Sequence, residues 1–244
     1  MISALFNQIL YYPLLNILVF LYNIIPGQSF GLAIILLTII IKFILSPLNQ
    51  KSLKAQKAMQ KIQPELKKLQ QQHKDPMERN KAIMAFYKEN KVNPVSGCLP
   101  VLLQFPIIIA LFQLLRKVLE PEGLNGLYSF VGNPGQIDPW FLGINLAVSS
   151  IVLAILAGGF QFIQAKMMMQ YKKDPASASD KSKAVAGKFD ISSMMGKQMT
   201  YVMPIFTVII AARFPAGLAL YWIISTVFSI GEQYWINYKN DNKN

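Results

Sequence analysis

The residues able to do covalent chemistry are few. The chain has one His (His73) and one Cys (Cys98) in 244 residues. A single Cys excludes a disulfide scaffold and a Cys-cluster metal site, and a single His excludes a paired-His site. There is no H-E-x-x-H and no G-x-S-x-G, so neither a zinc hydrolase nor a serine hydrolase is encoded. We expect no catalytic residue, no metal and no cofactor. The chemistry that remains is that of a charge in the wrong solvent. Lys42 lies inside SFGLAIILLTIIIKFILSPL, Ser29–Leu48. A cation at the centre of such a helix costs about 2.5–3.5 kcal/mol on insertion scales.

Lys42 precedes Leu48 by six residues, roughly 9 Å at a rise of 1.5 Å per residue. A lysine reaches about two-thirds of that distance, so snorkelling softens the cost without removing it. A water-filled pocket open to the cytoplasm would remove it. Other polar side chains fall at compatible depths: Thr38 one turn outward, Gln104, Gln161, Gln164, Ser225, Glu232 and Gln233. Glu232 lies fifteen residues past Gly217 and Lys42 thirteen past Ser29, which makes a Lys42–Glu232 ion pair an expectation.

The elements that position these groups are apolar. Hydrophobic residues are 53%, charged residues 15%, and mean hydropathy is +0.34, against about 25% charge in soluble domains. Five runs reach the roughly 17–25 residues of a membrane span or approach it: Ser29–Leu48, Val95–Leu115, Trp140–Ile163, Met199–Phe214 and Gly217–Ile236. The last two form a tight hairpin at Pro215–Ala216. Ala4–Ile25 is read as a helix lying on the membrane, because Asn7, Gln8, Asn16 and Asn23 fall in one half of its wheel and Pro13 interrupts it. With no basic start and no small-residue cleavage site, it does not read as a removed signal peptide.

The net charge of +12 is segregated. Of 24 bases, eleven lie in Gln50–Lys91, seven in Lys166–Lys197 and two in the tail. The positive-inside rule puts these segments and the C-terminus in the cytoplasm and the N-terminus outside. The run of charge thus sets topology and meets anionic lipid, and it lacks the interleaved aromatics of a nucleic-acid surface.

The expected fold is an all-α polytopic membrane protein. Residues 1–28 are the extracytoplasmic interfacial helix, 29–48 the first span, and 49–94 a cytoplasmic helical hairpin. The second span is 95–118, an extracytoplasmic loop 119–139, and the third span 140–165. A flexible cytoplasmic loop covers 166–197, followed by spans at 198–214 and 217–237 and a tail at 238–244. Within the hairpin, Ala55, Met59, Ile62, Leu66 and Leu69 step by 4, 3, 4 and 3, an amphipathic seam that Pro64 should kink or weaken. Asp75–Pro76 reads as an N-cap with Pro at the first helical position. A second helix over Pro76–Asn90 carries Met77, Met84 and Tyr87 on one side. Such a hairpin either folds on itself or offers a Met-bearing, adaptable paddle to other chains. Tyr171–Phe189, rich in Ala, Ser and Lys, reads as flexible.

Several stretches resemble the YidC/Oxa/Alb family of membrane protein insertases in its short bacterial form, over about residues 5–238. The most specific is KENKVNPVSGCLPVLLQFPIIIAL, Lys88–Leu111; IQPELKKL, FPAGLALYWIIST and GLAIILLTIIIKFILSPL are similar to further family segments. At the position of Lys42 bacterial members usually carry Arg, so the charge is kept while the forked geometry of a guanidinium is not. The resemblance implies five core spans around a hydrophilic groove, open to cytoplasm and lipid and closed outward, and no covalent chemistry. It implies groove and substrate-slide roles for Thr38, Lys42, Gln104, Tyr221 and Trp222, to which the depth argument adds Gln161 and Glu232. It gives the hairpin the task of receiving substrate through Met59, Ile62, Leu66, Met77, Met84 and Tyr87. Implied partners are nascent membrane proteins and lipid, with the ribosome, the Sec translocon and signal recognition particle components beyond them, and no DNA; the implied location is the bacterial plasma (inner) membrane. The tail Tyr238–Asn244 is too short to be a long basic ribosome-docking extension. Competing classes are a small transporter or channel, for which no internal repeat is found, and a passive assembly scaffold.

Overall fold

The computed structural model describes residues 2–73, 75–93, 99–120, 122–170 and 191–241. The flexible-loop expectation for Tyr171–Phe189 and the motif residues Pro94–Cys98 lie outside them. In order the elements are α1 (Ile2–Phe6), a π-helical stretch (Asn7–Tyr11), α2 (Tyr12–Ile24), α3 (Phe30–Gln72), α4 (Pro76–Glu89), α5 (Leu99–Lys117), strands β1 (Trp140–Phe141) and β2 (Ile144–Asn145), α6 (Ile151–Gln170), α7 (Ile191–Ala211) and α8 (Ala216–Asp241). Among the described residues three helices are long and apolar enough to cross a membrane: Ala4–Ile24, Phe30–Gln72 and Ile151–Met168, with Tyr201–Ala211 a shorter apolar helix.

Several boundaries differ from the sequence expectation. The first span and the first hairpin helix are one 43-residue helix, which runs through Pro47 and Pro64. Composition changes at Leu48, but backbone hydrogen bonding continues across a change from apolar to polar side chains. α7 starts at Ile191, inside the segment read as loop. The third apolar run is not helical from Trp140. Trp140 pairs with Asn145 and Phe141 with Ile144 in an antiparallel hairpin, and the helix begins only at Ile151. The two turn residues, Leu142 and Gly143, have φ of +48° and +77°, the signs of a two-residue hairpin turn. Leucine adopts that region at a cost of roughly 1–2 kcal/mol. Anchoring contacts hold the turn: the Phe141 ring lies where a Cβ on Gly31 would stand, and Leu146 N–H donates to the Pro139 carbonyl at 2.9 Å. The same loop caps α8, whose first N–H groups, on Ala216 and Gly217, donate to the carbonyls of Val148 and Leu146.

The polar residues of the N-terminal segment bond to the protein itself. Asn16 is only 3% exposed. Its amide donates to the Gly126 carbonyl at 3.1 Å and to the Tyr12 carbonyl at 2.8 Å, and its oxygen accepts from Tyr128 N–H at 2.6 Å. Asn23 donates to the Gly132 carbonyl, and the Tyr22 hydroxyl accepts from Asp138 N–H at 3.3 Å. Asn16 and Asn23 therefore hold the loop that follows α5; only Gln8 of the four polar residues is exposed. Gly126, at φ +104°, lies against the Tyr12 ring, where a Cβ has no room. Pro13 does not end the helix. The π-helical turn just before it widens the ladder where proline supplies no N–H.

Helix starts follow local chemistry. Ser29 accepts from Leu32 N–H at the start of α3, after a turn at Gly27 and Gln28 with φ of +76° and +47°. Asp75 accepts from Glu78 N–H at 2.9 Å, with Pro76 in the first turn of α4. α6 and α7 approach closely at Gly158, where a Cβ would strike the Val208 side chain and come within 3.0 Å of the Pro204 carbonyl oxygen. Small residues at such crossings are how apolar helices associate without a hydrophobic driving force. Outward-facing apolar stripes remain, such as Leu32, Leu36 and Phe43 on α3 and Ile151, Ile155 and Ile163 on α6.

Gly158→Val should therefore lower the stability of the detergent-solubilised protein by about 1–3 kcal/mol, the usual cost of overpacking, whereas Gly159→Ala, with open space around it, should leave the melting temperature within about a degree or two, since a ΔΔG of 1 kcal/mol shifts domains of this size by ~2–4 °C. Asn16→Ala should cost about 1–3 kcal/mol by leaving loop backbone groups unsatisfied, read as earlier proteolysis between residues 122 and 138.

Candidate functional site

One face of α8 carries the polar residues of the bundle. Tyr221, Ser225, Ser229, Glu232, Gln233 and Asn237 recur at helical spacing. Ser225 to Asn237 spans roughly 18 Å at 1.5 Å per residue. Neighbouring helices add to the stripe. Gln104 of α5 donates to the Tyr221 hydroxyl, which also bonds Ser225. Lys42 of α3 donates to Ser229 Oγ at 2.7 Å, and Ser229 donates onward to the Ser225 carbonyl at 3.0 Å. Lys57 of α3 donates to Asn237 Oδ1.

Lys42 is 6% exposed. The expected direct pair with Glu232 is not made: both Glu232 carboxylate oxygens are buried and accept no hydrogen bond. Counting along the helices gives the reason. Lys42 lies 12 residues past the start of α3, Ser229 13 past the start of α8 and Glu232 16 past it. Serine stands level with the ammonium, and the carboxylate sits about one turn further toward the hairpin end.

The stripe is closed at one end. Between the β-hairpin and Lys42, α3 contributes Phe30, Ala33, Ile34 and Leu37, which pack with Leu111, Leu114 and Leu115 of α5 and Leu218 and Ala219 of α8, all buried. Toward the helical-hairpin end it reaches Gln233 and Asn237. A depression there is lined by Leu53, Gln56, Lys57, Gln60, Met167, Met168, Gln233 and Asn237. Gln161 Oε1 and both polar atoms of Gln233 are buried without a protein partner. Buried polar atoms of this kind call for water, because leaving each without a partner costs about 1–3 kcal/mol.

The other expected residues divide. Thr38 is fully buried, and its hydroxyl donates to the Ile34 carbonyl at 2.6 Å; it belongs to the apolar plug and lines no groove. Trp222 is half-buried and packs on the core. In the helical hairpin, Leu66 is buried and Met59 and Ile62 are half-buried, while Met77 and Met84 are 72% and 59% exposed. Tyr87 is half-buried, and burial pushes its hydroxyl above the ordinary phenol value. Sequence reasoning missed Ser229 as the partner of Lys42; its signal was the 4, 4, 3 spacing of Tyr221, Ser225, Ser229 and Glu232. No group of three or more His, Cys, Asp or Glu occurs together among the described residues.

The sequence profile of the family described as 60Kd inner membrane protein matches residues 20–243. The chain belongs to this family. It is 38% identical over 209 residues to a protein of Fusobacterium nucleatum called membrane protein insertase YidC, covering 85% of this chain and 86% of that one. It is 33% identical over 239 residues to membrane protein insertase YidC 2 of Bacillus anthracis, covering 96% and 82%. A third relative of the same name, from Lawsonia intracellularis, is 35% identical, and the chain spans only 38% of its length. The fold is shared with an active YidC insertase crystal structure with the first transmembrane domain resolved, at a TM-score of 0.61 and 24% identity, covering 94% of this chain and 46% of that one.

Tyr221→Phe removes the acceptor of Gln104 and should lower stability by about 0.5–1.5 kcal/mol, whereas Tyr221→Ala should cost about 3–5 kcal/mol by leaving a cavity; thermal unfolding in detergent separates the two.

Proposed function

We propose that the chain is a membrane protein insertase. It inserts and helps fold nascent membrane proteins through a hydrophilic groove open to cytoplasm and lipid. The observation that carries this reading is Lys42, an ammonium buried at mid-bundle on a polar stripe that is plugged at its β-hairpin end. The names of the relatives support it.

No bond is made or broken. A segment entering a membrane must carry its polar flank through hydrocarbon, and insertion scales price one charge at about 2.5–3.5 kcal/mol. A half-depth wet groove shortens that passage. Lys42 attracts an acidic group of the incoming tail, while the exposed apolar faces of α3 and α8 release the new helix into lipid. The exposed methionines of α4 give the receiving hairpin a surface that adapts to many sequences. In this reading the spans number five: the apolar parts of α3, α5, α6, α7 and α8. The two basic segments and the C-terminus lie in the cytoplasm of a bacterial inner membrane. The N-terminal helices lie on the outer surface. This fits the way loop residues 126–138 run beside Asn16 and Asn23, since a loop bound along α2 shares its depth. The ribosome, the Sec translocon and signal recognition particle components are the partners this role would bring.

The test is reconstitution into liposomes with a single-span substrate bearing an acidic tail, scored by protease protection of the tail. Wild type and Lys42→Arg should protect it. Lys42→Leu should fall about tenfold, the consequence of losing an attraction of ~1.4 kcal/mol. Equal protection by all three would take Lys42 out of the mechanism, and none above empty liposomes would remove the insertase reading in favour of a scaffold or transporter.

A further inference from the structure

Glu232 is a charge the groove mechanism leaves unused. Its two oxygens are buried without a hydrogen-bond donor, although a carboxylate offers about four acceptor sites. An isolated buried ion costs several kcal/mol, so a carboxylate here calls for a cation. One is at hand in Lys42, yet the ammonium bonds Ser229 and not the carboxylate. Ser229 takes one N–H of the ammonium and turns its own hydrogen away, toward the Ser225 carbonyl. Among the described residues nothing accepts the other two N–H groups of Lys42. The result is two opposite charges on one polar stripe, each with bonding capacity to spare, separated by a serine.

We propose that Glu232 is a specificity-determining residue of the groove: it competes with the acid of an incoming segment for Lys42 and itself accepts a basic side chain. The receiver is then dipolar. It tempers the advantage of purely acidic tails and admits tails that carry lysine or arginine. Ser229 sets the balance by holding the ammonium short of the carboxylate. This rests on the insertase reading above.

The experiment measures insertion of one substrate with acidic, neutral and basic tails into liposomes holding wild type, Glu232→Gln, Ser229→Ala or both changes. Glu232→Gln keeps shape and removes charge, and it should raise the acidic-to-basic insertion ratio at least fivefold. Ser229→Ala releases Lys42 onto Glu232 and occupies both charges, so insertion of acidic and of basic tails should each fall at least threefold relative to the neutral tail. In the double variant the serine effect should vanish, because the carboxylate it guarded is gone. Changes measured between tails on one substrate are not produced by general loss of folding, which lowers every tail alike. Should Glu232→Gln fail to reconstitute, the fall in Ser229→Ala still decides. An acidic-to-basic ratio within twofold of wild type in Glu232→Gln, with charged-to-neutral ratios within twofold in Ser229→Ala and insertion intact, would overturn this role and leave the insertase standing. Failure of wild type with every tail would remove both.

Discussion

Taking an ammonium out of water costs several kcal/mol even after a protein relaxes around it, and Lys42 is almost wholly withdrawn from the surface. The rest of the bundle answers to that constraint. α8 must bring an oxygen to the level of the ammonium, and Ser229 does so. The stripe continues toward the helical-hairpin end, and Glu232, Gln233 and Asn237 carry it there. The first turns of α3 are apolar, and Phe30, Ala33, Ile34 and Leu37 close the stripe at that end. Even Thr38, a polar residue one turn from the charge, satisfies itself on its own helix and adds nothing to the stripe.

The β-hairpin end is built on a different economy. Its irregular backbone is satisfied piece by piece by side chains of α2 and by exchanges between loop and helix ends. Asn16 serves two loop residues more than a hundred positions away, and the loop after β2 caps α8. One end of the molecule is thereby held by directional bonds, while the other presents methionines and buried polar atoms without fixed protein partners. A rigid end and an adaptable end on the same helices fit a task in which the substrate varies and the direction of passage does not.

What the sequence reveals follows the range of the forces involved. Asp75 and Pro76 announce a helix start because capping is local. Lys42 stands out because the cost of a charge in an apolar run needs no partner to be noticed. Ser229 does not stand out: a serine in an apolar helix is unremarkable until a lysine 187 residues away is placed beside it. Trp140–Asn145 reads as apolar, and apolar content alone does not separate a strand from a helix; only the turn at Leu142–Gly143 does. The asparagines of α2 form a true polar face, but a face that binds backbone looks on a wheel like one that binds water. The boundary at Leu48 marks a change of solvent, and α3 ignores it.

That indifference makes α3 a lever. Its 43 residues extend about 65 Å, and the stretch from Lys42 to Gln72 about 45 Å. A rigid tilt of roughly 10° about Lys42 carries the tip some 8 Å at that rise. Conversely, a force at that tip acts at Lys42 with large mechanical advantage. Pro47 and Pro64 are where the rod can yield, since each lacks the N–H that would tie it to the preceding turn. Bending at Pro47, five residues beyond Lys42, uncouples the arm from the charge, whereas a straight α3 makes the catch at the tip and the setting of the ammonium one motion.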